Sequence, residues 1–249
     1  MERCDFLPVS AEEMHERGWW WYDALVVGGD AYVDHPSFGT AVISRVLEAE
    51  GLRVAVLAQP DWHDAEAFRA MGRPRLGVFI GAGNLDSMVA HYTAAKRRRS
   101  EDFYSPGKRS GCRPDRAAIV YCNRAREAFG PDMPIILGSL EASLRRFAHY
   151  DYWDDSVRRA ILFDAPADLL VYGMGEAATI EIAHRLKKKQ SVRTMTDIPG
   201  TGYITRDPSV CKFDHITLPS YEDVRDDKRL YAEATRTEYA EHDPVRGRA

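Results

Sequence analysis

Four apolar runs, each closed by glycine and each followed by a helical pattern, constrain this chain more than anything else in it. They are Ala24-Leu25-Val26-Val27-Gly28-Gly29-Asp30, Leu76-Gly77-Val78-Phe79-Ile80-Gly81, Met133-Pro134-Ile135-Ile136-Leu137-Gly138 and Leu169-Leu170-Val171-Tyr172-Gly173. Each has the length of a strand buried on both faces, and none alternates apolar with polar residues as a half-solvated sheet would. Parallel strands are the reading. Glycine at a strand-to-helix turn admits positive φ and lets a ligand approach the backbone. Since parallel strands all point one way, these turns gather on one edge, where open α/β sheets bind ligands.

The rest of the chain extends that alternation. A short polar helix over 9–17, capped by Ser10 with Glu13 three residues on, precedes the aromatic run Trp19-Trp20-Trp21-Tyr22, which reads as packing against a neighbouring element. Strand 24–29, helix 37–50, Gly51 as stop and strand 52–58 form the first βαβ unit, with Pro36 suited to a first helical turn. Helices are expected at 64–70, 84–95, 114–129, 139–148, 155–162 and 176–189, and a helix over 220–241 is anchored by Val224, Tyr231 and Tyr239 behind the cap signals Ser220 and Asp223. The class is α/β, a doubly wound, mostly parallel sheet with helices on both faces. Its parts are an N-terminal helix and aromatic segment at 1–23, the α/β domain at 24–210, and a linker and helix at 211–249.

Composition supports a protein of this kind and excludes several others. At 249 residues and 45% hydrophobic, the chain can bury a substantial core. A net charge of −4 speaks against a dedicated nucleic-acid coat, though local patches can be basic. Cys4, Cys112, Cys122 and Cys211 are widely spaced with no CxxC, which suits a reducing cytoplasm and offers no zinc set. No run approaches 18 apolar residues, and residues 1–5 lack the apolar core of a signal peptide, so a cytoplasmic protein with no membrane partner is expected.

In a doubly wound sheet the first and third strands flank the point where strand order reverses, so their loops face each other. That places Asp30, Asp34, His35 and Ser37 opposite Gly81, Gly83 and Asn84, with Gly138, Ser139, Gly173, Gly175 and Glu176 further along the rim. These are the candidate ligand-binding residues. Asp30 and Asp34 suit a ribose hydroxyl or a cation, or equally turn hydrogen bonds. Gly28-Gly29-Asp30 lacks the GxGxxG spacing that seats a dinucleotide, and no P-loop occurs. One helix terminus contributes only about 0.3–1 kcal/mol toward an anion, so several rim elements must converge on any ligand.

Longer motifs carry a resemblance. Gly29-Asp30-Ala31-Tyr32-Val33-Asp34-His35-Pro36-Ser37-Phe38-Gly39, Ala58-Gln59-Pro60-Asp61-Trp62, Tyr104-Ser105-Pro106-Gly107, Arg113-Pro114-Asp115-Arg116-Ala117, Glu141-Ala142-Ser143-Leu144-Arg145-Arg146 and His149-Tyr150-Asp151-Tyr152-Trp153 closely resemble the amino-terminal region of YgiQ family radical SAM proteins. The likeness runs through essentially the whole chain. It implies a Rossmann-like domain, similar to cobalamin-binding domains, ahead of a barrel that binds a [4Fe-4S] cluster and S-adenosylmethionine. That barrel is the partner the resemblance implies.

Radical SAM chemistry needs three closely spaced thiolates, and no CxxxCxxC occurs here. The expectation is therefore an accessory fragment with no catalytic centre and no metal site of its own, ending at Asp243-Pro244-Val245-Arg246-Gly247-Arg248-Ala249, where the family continues toward the barrel. Cobalamin is unsupported by the DxHxxG pattern, because Asp34 and His35 are adjacent and Gly39 stands four residues beyond the histidine. Two alternatives stay open: a stand-alone binder of a small ligand such as cobalamin or a nucleotide, and an RNA-binding module. The second would use Lys96–Arg116, with eight basic against three acidic residues around Phe103-Tyr104-Ser105-Pro106-Gly107. A lid or docking loop explains that stretch as well. His149-Tyr150-Asp151-Tyr152-Trp153-Asp154-Asp155 reads as packing, with Asp154 or Asp155 capping the next helix.

Overall fold

A computed structural model describes residues 6–242 and residue 247; Cys4 and most of the 243–249 tail fall outside it. The strands are β1 (Ala24–Gly28), β2 (Val54–Ala58), β3 (Gly77–Gly81), β4 (Ile135–Gly138), β5 (His149–Asp151), β6 (Ser156–Arg158), β7 (Leu169–Val171) and β8 (Thr201–Gly202). The helices are α1 (Ala11–Glu16), α2 (Gly39–Ala49), α3 (Glu66–Arg69), α4 (Ser87–His91), α5 (Ala117–Phe129), α6 (Ser139–Leu144), α7 (Glu176–Lys187), α8 (Tyr221–Asp226) and α9 (Lys228–Glu241).

All four glycine-closed runs are parallel strands. The main sheet runs β2-β1-β3-β4-β7-β8, parallel except for β8, which pairs antiparallel with β7. The chain leaves β1 outward to β2 and then crosses back to β3, so strand order reverses between β1 and β3. Alternation along each strand divides the core in two. Leu25, Val27, Val78, Ile80, Ile135, Leu137 and Leu170 point toward α3 and α5, where Phe68, Tyr121 and Phe129 cover them. Val26, Val56, Phe79, Ile136, Leu169 and Val171 point the other way, toward Leu47 of α2 and Ile182 and Leu186 of α7. Helices thus lie on both faces, which is why these strands read as continuous apolar runs.

Local chemistry explains where the elements depart from expectation. The helix expected at 155–162 is instead a β5–β6 hairpin followed by a single 3-10 turn at Ile161–Phe163. Asp155 caps no helix; it occupies the hairpin turn at φ +50. Asp151 accepts the Trp153 amide (2.8 Å), and Arg116 bridges Asp151 and Asp154 at 2.9 and 2.6 Å, closing the turn. The helix expected at 84–95 spans only α4, because Asp86 caps the amides of Met88 and Val89 and Tyr92 is already extended. The helix expected over 220–241 breaks at Asp227, an extended residue that ends α8 and caps α9 through the Arg229 amide (2.7 Å). Val224 is buried there, but Tyr239 is 80% exposed and anchors nothing. In the aromatic run Tyr22 is buried and Trp21 lies between the guanidinium groups of Arg53 and Arg75, while Trp20 faces solvent.

Candidate functional site

The register of the strands creates the site. Val26, Phe79 and Ile136 stand side by side across β1, β3 and β4, and two residues further along on the same face stand Gly28, Gly81 and Gly138, again in register. The apolar row forms a floor, and the glycine row above it removes the side chains that would otherwise fill the space beneath α2 and α7. A cavity of about 310 Å³ results, bounded by Val26, Phe79, Ile136 and Val171 below, Pro36, Gly39, Thr40 and Ile43 on one side, and Gly173, Met174, Gly175, Glu176 and Thr179 on the other. Its volume lies at the small end of ligand pockets, and it opens at the edge where strand order reverses.

Close backbone approach holds the rim together. A Cβ on Gly29 would fall 1.9 Å from the Ala82 carbonyl oxygen, so only glycine lets the β1 and β3 loops pass. Ser139 takes φ +75 at the β4–α6 turn, and its hydroxyl oxygen accepts the Ala82 amide at 3.1 Å, so the hydrogen bond offsets part of the backbone strain. The Gly173 amide donates to the Ser143 hydroxyl at 3.2 Å, tying the β7 loop to α6.

The twelve candidate residues divide between cavity and frame. Gly81, Gly83, Asn84, Gly138, Ser139, Gly173, Gly175 and Glu176 line the cavity; Asp30, Asp34, His35 and Ser37 do not. Asp30 is buried, pairs with Arg113 Nη1 at 2.8 Å and accepts the Asn84 amide at 2.7 Å. Burial pushes its carboxyl up despite the guanidinium, so it has the environment of a framework group rather than an open ligand. Asp34 is held by Arg45 of α2 (Nε to Oδ2, 3.0 Å). His35 accepts the Ser37 amide at its Nδ1 (3.1 Å), which orients the ring within the turn and outside the cavity. Ser37 contributes its carbonyl, which accepts from the Asn84 side chain at 2.9 Å.

Residues that spacing alone did not single out as a unit complete the frame. Arg113 is fully buried between two carboxylates, Asp30 and Asp102, with Nη2 2.8 Å from Asp102. Asp102 also accepts the Ser105 hydroxyl (2.9 Å) and the Tyr104 amide (2.9 Å). Gln59 donates to the Gly29 carbonyl and the Ser105 hydroxyl, and the Ala31 amide donates to the Tyr104 carbonyl. The basic stretch is therefore a folded loop fastened to the sheet edge, with Lys96, Arg97, Arg98, Arg99, Lys108 and Arg109 facing solvent. Glu141 is a further buried acid. It accepts the Ser87 hydroxyl at 2.8 Å, burial and nearby Asp86 raise its pKa, and Arg145 pairs with Asp86 in preference to the helix-spaced contact with Glu141 at 3.9 Å.

The described thiols are not grouped as an iron–sulfur ligand set would be. Cys122 is fully buried in the core with its pKa pushed upward, and among the described residues no three Cys, His, Asp or Glu side chains are grouped so as to hold a metal. Among the described residues no helix is long and apolar enough to cross a membrane.

The family described as radical SAM N-terminal matches residues 6–249. The chain belongs to that family. Among curated relatives of this radical SAM N-terminal chain, a UPF0313 protein of Clostridium botulinum (strain 657 / Type Ba4) is 54% identical over 248 residues, spanning 100% of the chain and 38% of the relative. A UPF0313 protein of Clostridium perfringens (strain SM101 / Type A) is 52% identical, spanning 100% and 37%. The chain thus spans less than two-fifths of these relatives. A solved structure of the radical S-adenosylmethionine methyltransferase TsrM from Kitasatospora setae, with tryptophan substrate and the SAM analogue aza-SAM, aligns over 74% of the radical SAM N-terminal chain and 28% of its own, at 20% identity and TM-score 0.48.

Proposed function

We propose that this chain is the accessory part of a radical SAM enzyme, a scaffold whose strand-end cavity holds a small ligand and whose rim packs against the cluster-bearing remainder of the longer proteins. The cavity carries this reading: the parallel strands β1, β3 and β4 end in register, with β7 beside them, around a space that has an apolar floor and opens at the strand-order reversal. The rim beside it exposes Leu144, Tyr172 and Met174, a density of apolar surface that suits coverage by another part of a protein. A [4Fe-4S] cluster and S-adenosylmethionine would belong to that remainder, since the thiols described here are not arranged to ligate iron.

Calorimetric titration of the purified chain with hydroxocobalamin and with S-adenosylmethionine tests the ligand half of the reading. Saturable 1:1 binding of at least one of the two, weakened by substitutions in the cavity wall, is the expected result. Cluster assembly with cleavage of S-adenosylmethionine by this chain alone would sink the accessory assignment.

A further inference from the structure

The charge and hydrogen-bonding state of the cavity wall narrow its ligand, given the reading above that the cavity is a binding site. Asn84 and Ser139 are already engaged with the backbone of the rim. Three polar side chains in the wall have no side-chain hydrogen bond or ion pair among the described residues: Thr40 in the first turn of α2, and Glu176 and Thr179 one turn apart on α7. Thr179 is 2% exposed and lines the cavity, so water or a ligand bound there is the available partner for its hydroxyl. Among the described residues Glu176 is the one ionisable group in the wall, and no lysine, arginine or histidine lines it.

An α/β edge ordinarily offers helix N-termini to phosphate. Here the first residue of α7 is a carboxylate, which answers the helix dipole itself and repels a second anion. Below it, Val26, Phe79, Ile136 and Val171 present an apolar surface, with Ile43 on the α2 side. From these observations we infer that the cavity takes a neutral or cationic nitrogen heterocycle bearing an amino group, of the nucleoside class, with the ring on the strand floor and the amino N–H donated to Glu176. Inorganic phosphate and phosphate-terminated groups are excluded from this wall.

Adenosine, inosine and inorganic phosphate titrated separately into the purified chain provide the test, because inosine keeps the ring and ribose but replaces the amino donor with a carbonyl. The expected pattern is saturable adenosine binding, inosine weaker by about tenfold as befits loss of a hydrogen bond to a charged acceptor, and neither binding nor competition by phosphate. Glu176→Gln should reduce the adenosine-to-inosine ratio toward unity, with the melting temperature lowered by only about 1–4 °C for the charge lost at the α7 terminus. Gly39→Leu should abolish binding of both nucleosides, since a Cβ at that wall position meets nothing within 4 Å and the side chain can grow into the opening without strain. Phosphate binding, equal affinities for the two nucleosides, or a ratio indifferent to Glu176→Gln overturns the inference. Cobalamin binding without any nucleoside binding also overturns it while leaving the cavity reading intact; silence from every probe removes both.

Discussion

At the residue scale, two glycines near the cavity illustrate opposite constraints. Gly29 is enclosed, with a built Cβ 1.9 Å from a backbone oxygen, whereas Gly39 opens α2 with space around it. Gly29→Ala is expected to cost at least about 3 kcal/mol, since backbone must move; Gly39→Ala should be neutral or stabilise by up to about 1 kcal/mol, by restricting the unfolded chain. Urea denaturation of both variants checks the contrast, and equal midpoints would refute it. Glu141 supplies a pH signature. Its pKa is raised from 4.5 chiefly by burial, so the folded protein retains a proton that the unfolded chain has released. The associated stability is present below about 4.5 and is lost as pH rises through the folded value. Glu141→Gln should therefore gain on the parent as pH rises, by up to about 1.4 kcal/mol per unit within that window. Parallel stability profiles between about pH 5 and 8 would contradict this.

At the element scale, the loop from Tyr92 to Arg116 is the clearest case of a segment whose order rests on a few buried contacts. Charge counting identified it as basic and long, and those properties are visible on its surface. What composition could not show is that Asp102 and Arg113, two members of the charged tally, are withdrawn into the interior and pin the loop to Asp30. Asp102→Ala removes the acceptor of Arg113, Ser105 and Tyr104 together. Tryptic cleavage after Arg97, Arg98 and Arg99 is expected to accelerate about tenfold or more in that variant, following the larger open population. An unchanged cleavage rate would show that the loop is held elsewhere. The same logic explains the misread helix at 155–162: its residues are compatible with a helix locally, and the ion pairs from Arg116, remote in sequence, favour the hairpin.

At the scale of the whole molecule, the proposal that the cavity rim meets another part of the longer proteins has a direct reporter. Met174 is 92% exposed at the mouth of the cavity. Its oxidation by peroxide, followed by mass spectrometry, should be fast in this chain alone and slowed several-fold within a full-length protein containing it; equal rates would argue against contact at this edge. The chain's sequence by itself determined the element alternation, the parallel sheet and the sheet edge on which eight of the twelve candidate residues line a cavity, because apolar runs of strand length with terminal glycines admit few other arrangements. Tertiary structure alone decided that Gly28, Gly81 and Gly138 align in one row, that Asp30 serves Arg113 rather than an open site, and that Glu176 and Thr179 remain unpartnered. Periodicity records which face a residue occupies, but register and ion pairing depend on residues that are distant along the chain and meet only when the sheet closes over its helices.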